Sequence, residues 1–155
     1  MANLNFKKDL ELSSVGELKV KEFLESKGCI YQASNNDNKF DLKMTKNNKD
    51  TTYEIKTDFK CAPLFDTGNL FIEYECRNRP SGISVTQADW FVTHFLYLDE
   101  LWFIKSEDLK KLIFDNNFPV FIDAGDINSE TKGYLINRKN YRNYFHVYKT
   151  QTTTN

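Results

Sequence analysis

The stretches Lys39-Phe-Asp-Leu-Lys-Met-Thr45 and Thr52-Tyr-Glu-Ile-Lys-Thr-Asp58 decide how this chain reads. Phe40, Leu42 and Met44 alternate with Asp41, Lys43 and Thr45, which is the period of a half-buried strand. In the second stretch Glu54 and Lys56 stand two apart, so they project to one face while Tyr53, Ile55 and Thr57 project to the other. The polar residues 46–50 lie between the two runs and read as a hairpin loop. Adjacent strands then bring two carboxylates, Asp41 and Glu54, and one ammonium, Lys56, to one place. That set is the minimum for holding a divalent cation and setting a water against a phosphodiester.

Upstream, Ser13-Ser14 is expected to cap a helix that runs to Lys27, with residues 1–12 as a preceding arm. Glu17 then lies in the first turn, where the helix dipole favours acids, and Val20, Phe23 and Leu24 face the core. Gly28 is placed to end the helix. Residues 29–33 read as a strand and 34–38 as a turn. Downstream, 60–69 is an irregular loop, 70–76 a strand and 77–82 a basic, mobile loop. Thr86 is expected to cap a short helix over 87–90. Strands follow over 91–97 and 101–105, and Ser106 caps a helix over 107–115. Short strands are expected at 120–122 and 134–136 around a loop containing Asp123-Ala-Gly-Asp126, which lacks the ligand positions of an EF-hand and reads as a turn. A helix, antiparallel strands, then helix and strands again predict an α/β domain with a mixed central sheet.

The 155 residues argue for one domain, and 21 aromatic Phe and Tyr (13 and 8) supply much of its core. A formal net charge of −1 excludes a protein that coats nucleic acid through its total charge. Nucleic-acid binding must then come from a local patch. Cys29, Cys61 and Cys76 lack metal spacing and read as reduced thiols of the cytosol. The N-terminus, with Lys7, Lys8, Asp9 and Glu11, is not that of a signal peptide, and no apolar run suits a membrane span.

The order Glu17, Asp41, Glu54-Ile55-Lys56 resembles the signature of the PD-(D/E)xK nuclease superfamily, the restriction-endonuclease-like fold. The strict pattern has proline before the first aspartate, where this chain has Phe40. The spacing is most similar to archaeal-type Holliday junction resolvases and their phage relatives. The resemblance covers residues 13–97, a motif-bearing core, and leaves 98–150 as an extension of a single nuclease-like domain over 1–155. It implies a mixed central β-sheet flanked by helices. It implies an endonuclease using Mg²⁺ or Mn²⁺ to hydrolyse duplex or branched DNA to a 5′-phosphate and a 3′-hydroxyl. A homodimer, no membrane association and a cytoplasmic setting, including a phage protein in its host's cytoplasm, are implied with it. Asp41, Glu54, the Ile55 carbonyl and Glu17 are the expected metal ligands, and Lys56 is expected to hold or deprotonate the attacking water.

Arg77, Arg79, Lys43 and Lys60 are the expected DNA contacts. Asp58 and Glu73 read as strand-end and ladder residues within reach of the same centre. His94 and His146 read as structural, with His94 hydrogen-bonded. The plain alternative for Glu54 and Lys56 is a solvated strand face bearing an ion pair. On that alternative the chain is a non-catalytic DNA- or protein-binding module with a nuclease-like fold, or a subunit of a larger assembly.

Overall fold

The computed structural model describes residues 2–34, 39–123 and 130–150, with 2–13 described through their backbone alone. Helix α1 runs over Ala2–Ser26. It starts far upstream of the Ser13-Ser14 cap expected from the sequence, and the arm over 1–12 is helical from Ala2. Residues 2–12 contain neither proline nor glycine, and two serines inside a good helical run cost too little to stop it. Glu17 therefore lies about four turns into the helix, roughly 22 Å from its start. The helix ends at Gly28, whose φ is +91°. There the Cys29 N–H donates to the Leu24 carbonyl at 3.0 Å, closing the C-terminus as glycine caps do.

Six strands form the central sheet in the order β1-β2-β3-β6-β7-β10. They are β1 Ile30–Ala33, β2 Leu42–Lys46, β3 Lys49–Asp58, β6 Trp90–Phe95, β7 Glu100–Lys105 and β10 His146–Lys149. The sheet is mixed because β3 and β6 run parallel while every other neighbouring pair is antiparallel. β2 and β3 join through Asn47 and Asn48, at φ 52° and 61°. Two successive left-handed residues make a tight hairpin turn whose twist suits the strands, and asparagine tolerates that conformation. Residues 35–38 of the expected turn, and 124–126 of the Asp123-Ala-Gly-Asp126 turn, lie outside the described residues.

One face of this sheet carries α1. Gly16, Val20 and Leu24 recur every four residues, a line along one side of the helix. Val20 and Leu24 pack there on Leu42, Met44, Tyr53, Ile55, Val92, Leu101 and Phe103. At Gly16 the helix comes so close that a Cβ would sit 2.0 Å from Thr57 Oγ1 and 3.4 Å from His94 Nδ1.

The other face carries something the sequence did not announce: a second sheet, ordered β5-β4-β9-β8. Its strands are β4 Asn69–Cys76, β5 Arg79–Pro80, β8 Val120–Asp123 and β9 Thr131–Asn137. With α2 (Ser106–Asp115) it buries Leu70, Ile72, Ile83, Leu109, Leu112 and Ile136 against Phe91, Phe95, Trp102 and Ile104. β6 and β7 are thus covered on both faces, which explains their nearly unbroken apolar runs. Helices flank the central sheet only in part. A parallel pair needs a crossover, commonly a helix; between β3 and β6 it is β4, β5 and a single 3-10 turn over Gly82–Ser84. The last third is woven into both sheets: β9 pairs β4, β10 pairs β7, and α3 (Arg138–Tyr141) follows β9.

Three further expectations are corrected. The basic loop over 77–82 is a tight hairpin, with Arg77 and Asn78 at φ 52° and 61° before the short β5. No helix forms over 87–90; Thr86 Oγ1 accepts the Ala88 N–H at 3.2 Å, a local turn that competes with helix. Ser106 is the first residue of α2 rather than its cap, which is Lys105. Among the described residues no helix is long and apolar enough to cross a membrane.

His94 is 1 % exposed, and its Nδ1 has no hydrogen-bond partner among the described residues. It is structural as expected, but not through that nitrogen. Burial, with Lys19 nearby, depresses its pKa to about 4. A histidine depressed in the fold contributes its full stability above its unfolded pKa, about 6.5, and loses it as pH falls toward 4. Urea unfolding between pH 7 and 4 is expected to lose on the order of 2–3 kcal/mol to this group, and His94→Leu is expected to flatten that dependence. Gly82, at φ +53°, would place a Cβ 2.2 Å from the Glu73 carbonyl oxygen. Gly82→Ala is expected to cost about 1–3 kcal/mol in the same measurement, because backbone and not a mobile side chain stands in the way.

Candidate active site

The site forms where β2 stops and β3 continues. Leu42 pairs with Tyr53, and the Asp41 N–H donates to the same Tyr53 carbonyl at 2.9 Å. Two residues addressing one across a ladder is the arrangement of a β-bulge, a device that re-aims a side chain. Asp41 Oδ2 then accepts the Ile55 N–H at 2.7 Å. The carboxylate takes the hydrogen bond that a longer β2 would have supplied. In a strand the N–H and C=O of one residue point to the same edge, so the Ile55 carbonyl lies on this edge too, past the last β2 pairing.

Glu54 and Lys56 share the face of β3 turned away from α1. Lys56 Nζ lies 3.4 Å from Glu54 Oε1 and 3.9 Å from Glu73 Oε2. Glu54 Oε2 accepts from Thr86 Oγ1 at 3.3 Å. Thr86 is thus a partner of the site that the sequence reading missed, having assigned its hydroxyl to a helix that does not form. Glu73 comes from the second sheet, which no local pattern foretold. Glu17 reaches the cluster from α1 on the opposite face of the sheet, and Asp41 at the open edge is the common neighbour of Glu17 and Glu54.

The electrostatics follow from crowding. Burial, then repulsion from Asp41, raises the pKa of both Glu17 and Glu54; for Glu54, Lys56 and Thr86 oppose the rise. Asp41 is also raised, because loss of solvation outweighs the Ile55 N–H and Lys56. Burial alone would lower Lys56, but Glu73, Glu54 and Asp41 outweigh it and the net shift is upward. Lys56 is therefore placed to donate hydrogen bonds as a cation. Its ordinary pKa, about 10.4, already lies far above neutrality.

The expected DNA contacts scatter. Lys43 pairs with Thr52, which places it at diagonal spacing from Glu54, roughly 7–8 Å; its ammonium lies over the Phe40 ring at 5.5 Å. Lys60 is tied to Asp123 in an ion pair. Arg77 and Arg79 stand on the β4–β5 hairpin; Arg77 is at its turn, and Arg79 pairs back with Cys76, three positions past Glu73 and roughly 10 Å along the strand. Asp58 is structural: its Oδ1 accepts from the Lys60 and Cys61 N–H groups, each at 2.9 Å.

Among the described residues no three side chains are already arranged as a metal cage. Mg²⁺ seldom needs one, since it is held by one or two carboxylates, waters and substrate phosphate. Asp41 Oδ1 does not take part in the bond to Ile55, and Asp41 repels both Glu17 and Glu54. Carboxylate and carbonyl oxygens are the kind of donor a hard divalent ion takes. Compared with known proteins, the chain matches no family model, no curated protein and no solved structure.

A carboxyl raised in the fold weakens the fold once pH exceeds its unfolded value. Glu17→Gln is therefore expected to raise Tm by roughly 1–3 °C at pH 7 in EDTA, with the gain shrinking as pH falls toward about 4. Thermal unfolding followed by circular dichroism reads both.

Proposed function

We propose that this protein is a metal-dependent endonuclease that hydrolyses DNA phosphodiester bonds through Asp41, Glu54 and Lys56, with Glu17 assisting. The observation that carries this reading is the meeting of two carboxylates and a lysine at the open edge of β3, both carboxyls held above their ordinary range. A divalent ion, Mg²⁺ or Mn²⁺, supplies charge neutralisation on the phosphate and a more acidic water. Asp41, Glu54 and the Ile55 carbonyl are the groups that would hold it, with Glu17 on the helix side.

Lys56 keeps 36 % of its side chain exposed, so its ammonium is within reach of a substrate phosphate. Being cationic, it orients the attacking water and stabilises charge as the phosphorus gains its fifth oxygen. Thr86 holds Glu54 in place by donating to Oε2. Glu73 keeps Lys56 charged. This assignment narrows the expectation for Lys56 from holding or deprotonating the water to holding it.

Within this reading the fold is of the restriction-endonuclease-like kind, with a two-stranded insert where the crossover helix would stand. The substrate is DNA bearing a junction, flap or end, since the chain's net charge of −1 does not suit coating long duplex. Two subunits acting together would cut two strands, and free cysteines suit the cytoplasm.

Labelled linear duplex, plasmid, single strand, flap, four-way junction and RNA, each with Mg²⁺, Mn²⁺ or EDTA, test the proposal. Cleavage is expected with metal and not with EDTA, falling about 10²–10⁴-fold in Lys56→Ala while substrate affinity persists. No cleavage on any substrate, together with no metal binding by calorimetry, overturns it in favour of a non-catalytic binding module.

A further inference from the structure

Tyr74 is the extra residue of a bulge. Glu73 pairs with Gly133 and Glu75 with Lys132, so three residues of β4 face two of β9. The bulge sits next to Glu73, the carboxylate 3.9 Å from Lys56, and it turns the Tyr74 ring onto that of Tyr134. The two centroids are 4.6 Å apart, with the rings tilted by 31°. The half-buried pair lines a cleft of about 350 Å³ closed by Ile83, Ser84, Ile113 and Lys110. No carboxylate lines this cleft.

Lys110, exposed on α2, also lines a second cleft of about 450 Å³. That cleft holds Lys49, Lys105 and Trp90, and with them the acids Asp50, Asp89 and Glu107. It is bounded by Thr86, the residue that donates to Glu54. The two clefts therefore share a lysine. The first is lined by Tyr74, the residue after Glu73, and the second by Thr86, the partner of Glu54.

Aromatic faces with a lysine beside them, in a crevice free of carboxylates, match the two halves of a nucleotide: a base that stacks and a phosphate that is negative. An unstacked base is required, since a base inside a duplex presents no face. We infer that the Tyr74–Tyr134 cleft binds an unpaired nucleobase of a single-stranded nucleic acid, with Lys110 on the adjoining phosphate. This rests on the nuclease reading for its meaning, as the strand would lead to Lys56, but the binding itself does not need catalysis. An unpaired base is what a junction, a flap or a frayed end offers and an intact duplex does not.

Fluorescence anisotropy with labelled dT20, rU20 and a 20-base-pair duplex tests it. The parent chain is measured in EDTA, and Lys56→Ala in Mg²⁺. Tyr134→Leu is expected to weaken dT20 and rU20 by roughly 5- to 100-fold while Tyr134→Phe, which keeps the ring, binds as the parent does. Lys110→Glu is expected to weaken both single strands and to lower the salt dependence by about one counterion. Duplex affinity is expected to stay unchanged in Tyr134→Leu. Tm is measured on every variant, and if Tyr134→Leu unfolds, the exposed Lys110→Glu decides.

The inference is overturned if dT20 does not bind the parent, or if Tyr134→Leu and Lys110→Glu bind it unchanged. It is also overturned if Tyr134→Leu weakens duplex as much as single strand. Lys56-dependent cutting with a cleft indifferent to these changes sinks the inference and leaves the nuclease standing. Tyr134-dependent binding without cutting on any substrate does the reverse.

Discussion

The Asp41 carboxylate accepts the Ile55 N–H at 2.7 Å, at the point where β2 has ended and β3 goes on. A hydrogen bond to a charged group contributes about 1.5–3 kcal/mol, and this one also decides geometry. It closes an edge that would otherwise present an unpaired backbone donor, and it holds one oxygen of Asp41 on β3 beside Glu54. Had β2 continued, a strand would cover the Ile55 edge. Had Asp41 been apolar, the Ile55 N–H would lack that partner. The bulge, the open edge and the acid cluster are one arrangement, and burial of its carboxyls is the stability the fold forgoes to have it.

Two layers pin this arrangement from opposite sides. α1 reaches the sheet closely because Gly16 has no side chain, and that approach delivers Glu17 from behind. The second sheet reaches it from the front, where Gly82 lies against the Glu73 backbone and Glu73 meets Lys56. At Gly16 a Cβ would meet the Thr57 side chain and at Gly82 the Glu73 backbone, so neither approach leaves room for a side chain. The charged centre is thus held by tightly packed, largely apolar layers. That is how three unfavourable carboxyl environments survive in one place.

Much of the central sheet was legible. Period-two alternation located β2 and β3, put Glu54 and Lys56 on one face, and paired Asp41 with them through a short hairpin. Gly28 stopped α1 where expected. The helix start was misread because Ser13-Ser14 has the composition of a cap, while the propensity of 2–12 outweighed it. The expected helix at 87–90 gave way to the Thr86 turn for a similar reason: a hydroxyl can serve a helix end or a local turn, and its tertiary partner Glu54 selects between them. The glycine inside α1 was the one sequence signal of a close helix–sheet approach, since glycine there costs about 1 kcal/mol relative to alanine without such a reason.

Local pattern alone determined the strands, their faces and the acid-acid-lysine set, because side-chain direction along a strand depends only on position parity. Tertiary structure decided that Thr86 joins Glu54 and that Glu73 meets Lys56, although Glu17 and Glu73 already read as within reach of the centre. Glu73, Thr86 and the Tyr74–Tyr134 pair come from the long crossover and from the last third of the chain. Their places depend on how β4 pairs with β9 across some sixty residues, as in Leu70 with Ile136. Pairing over that distance is set by burial of the apolar layer between the two sheets, a property of the assembled core that no short window of sequence contains.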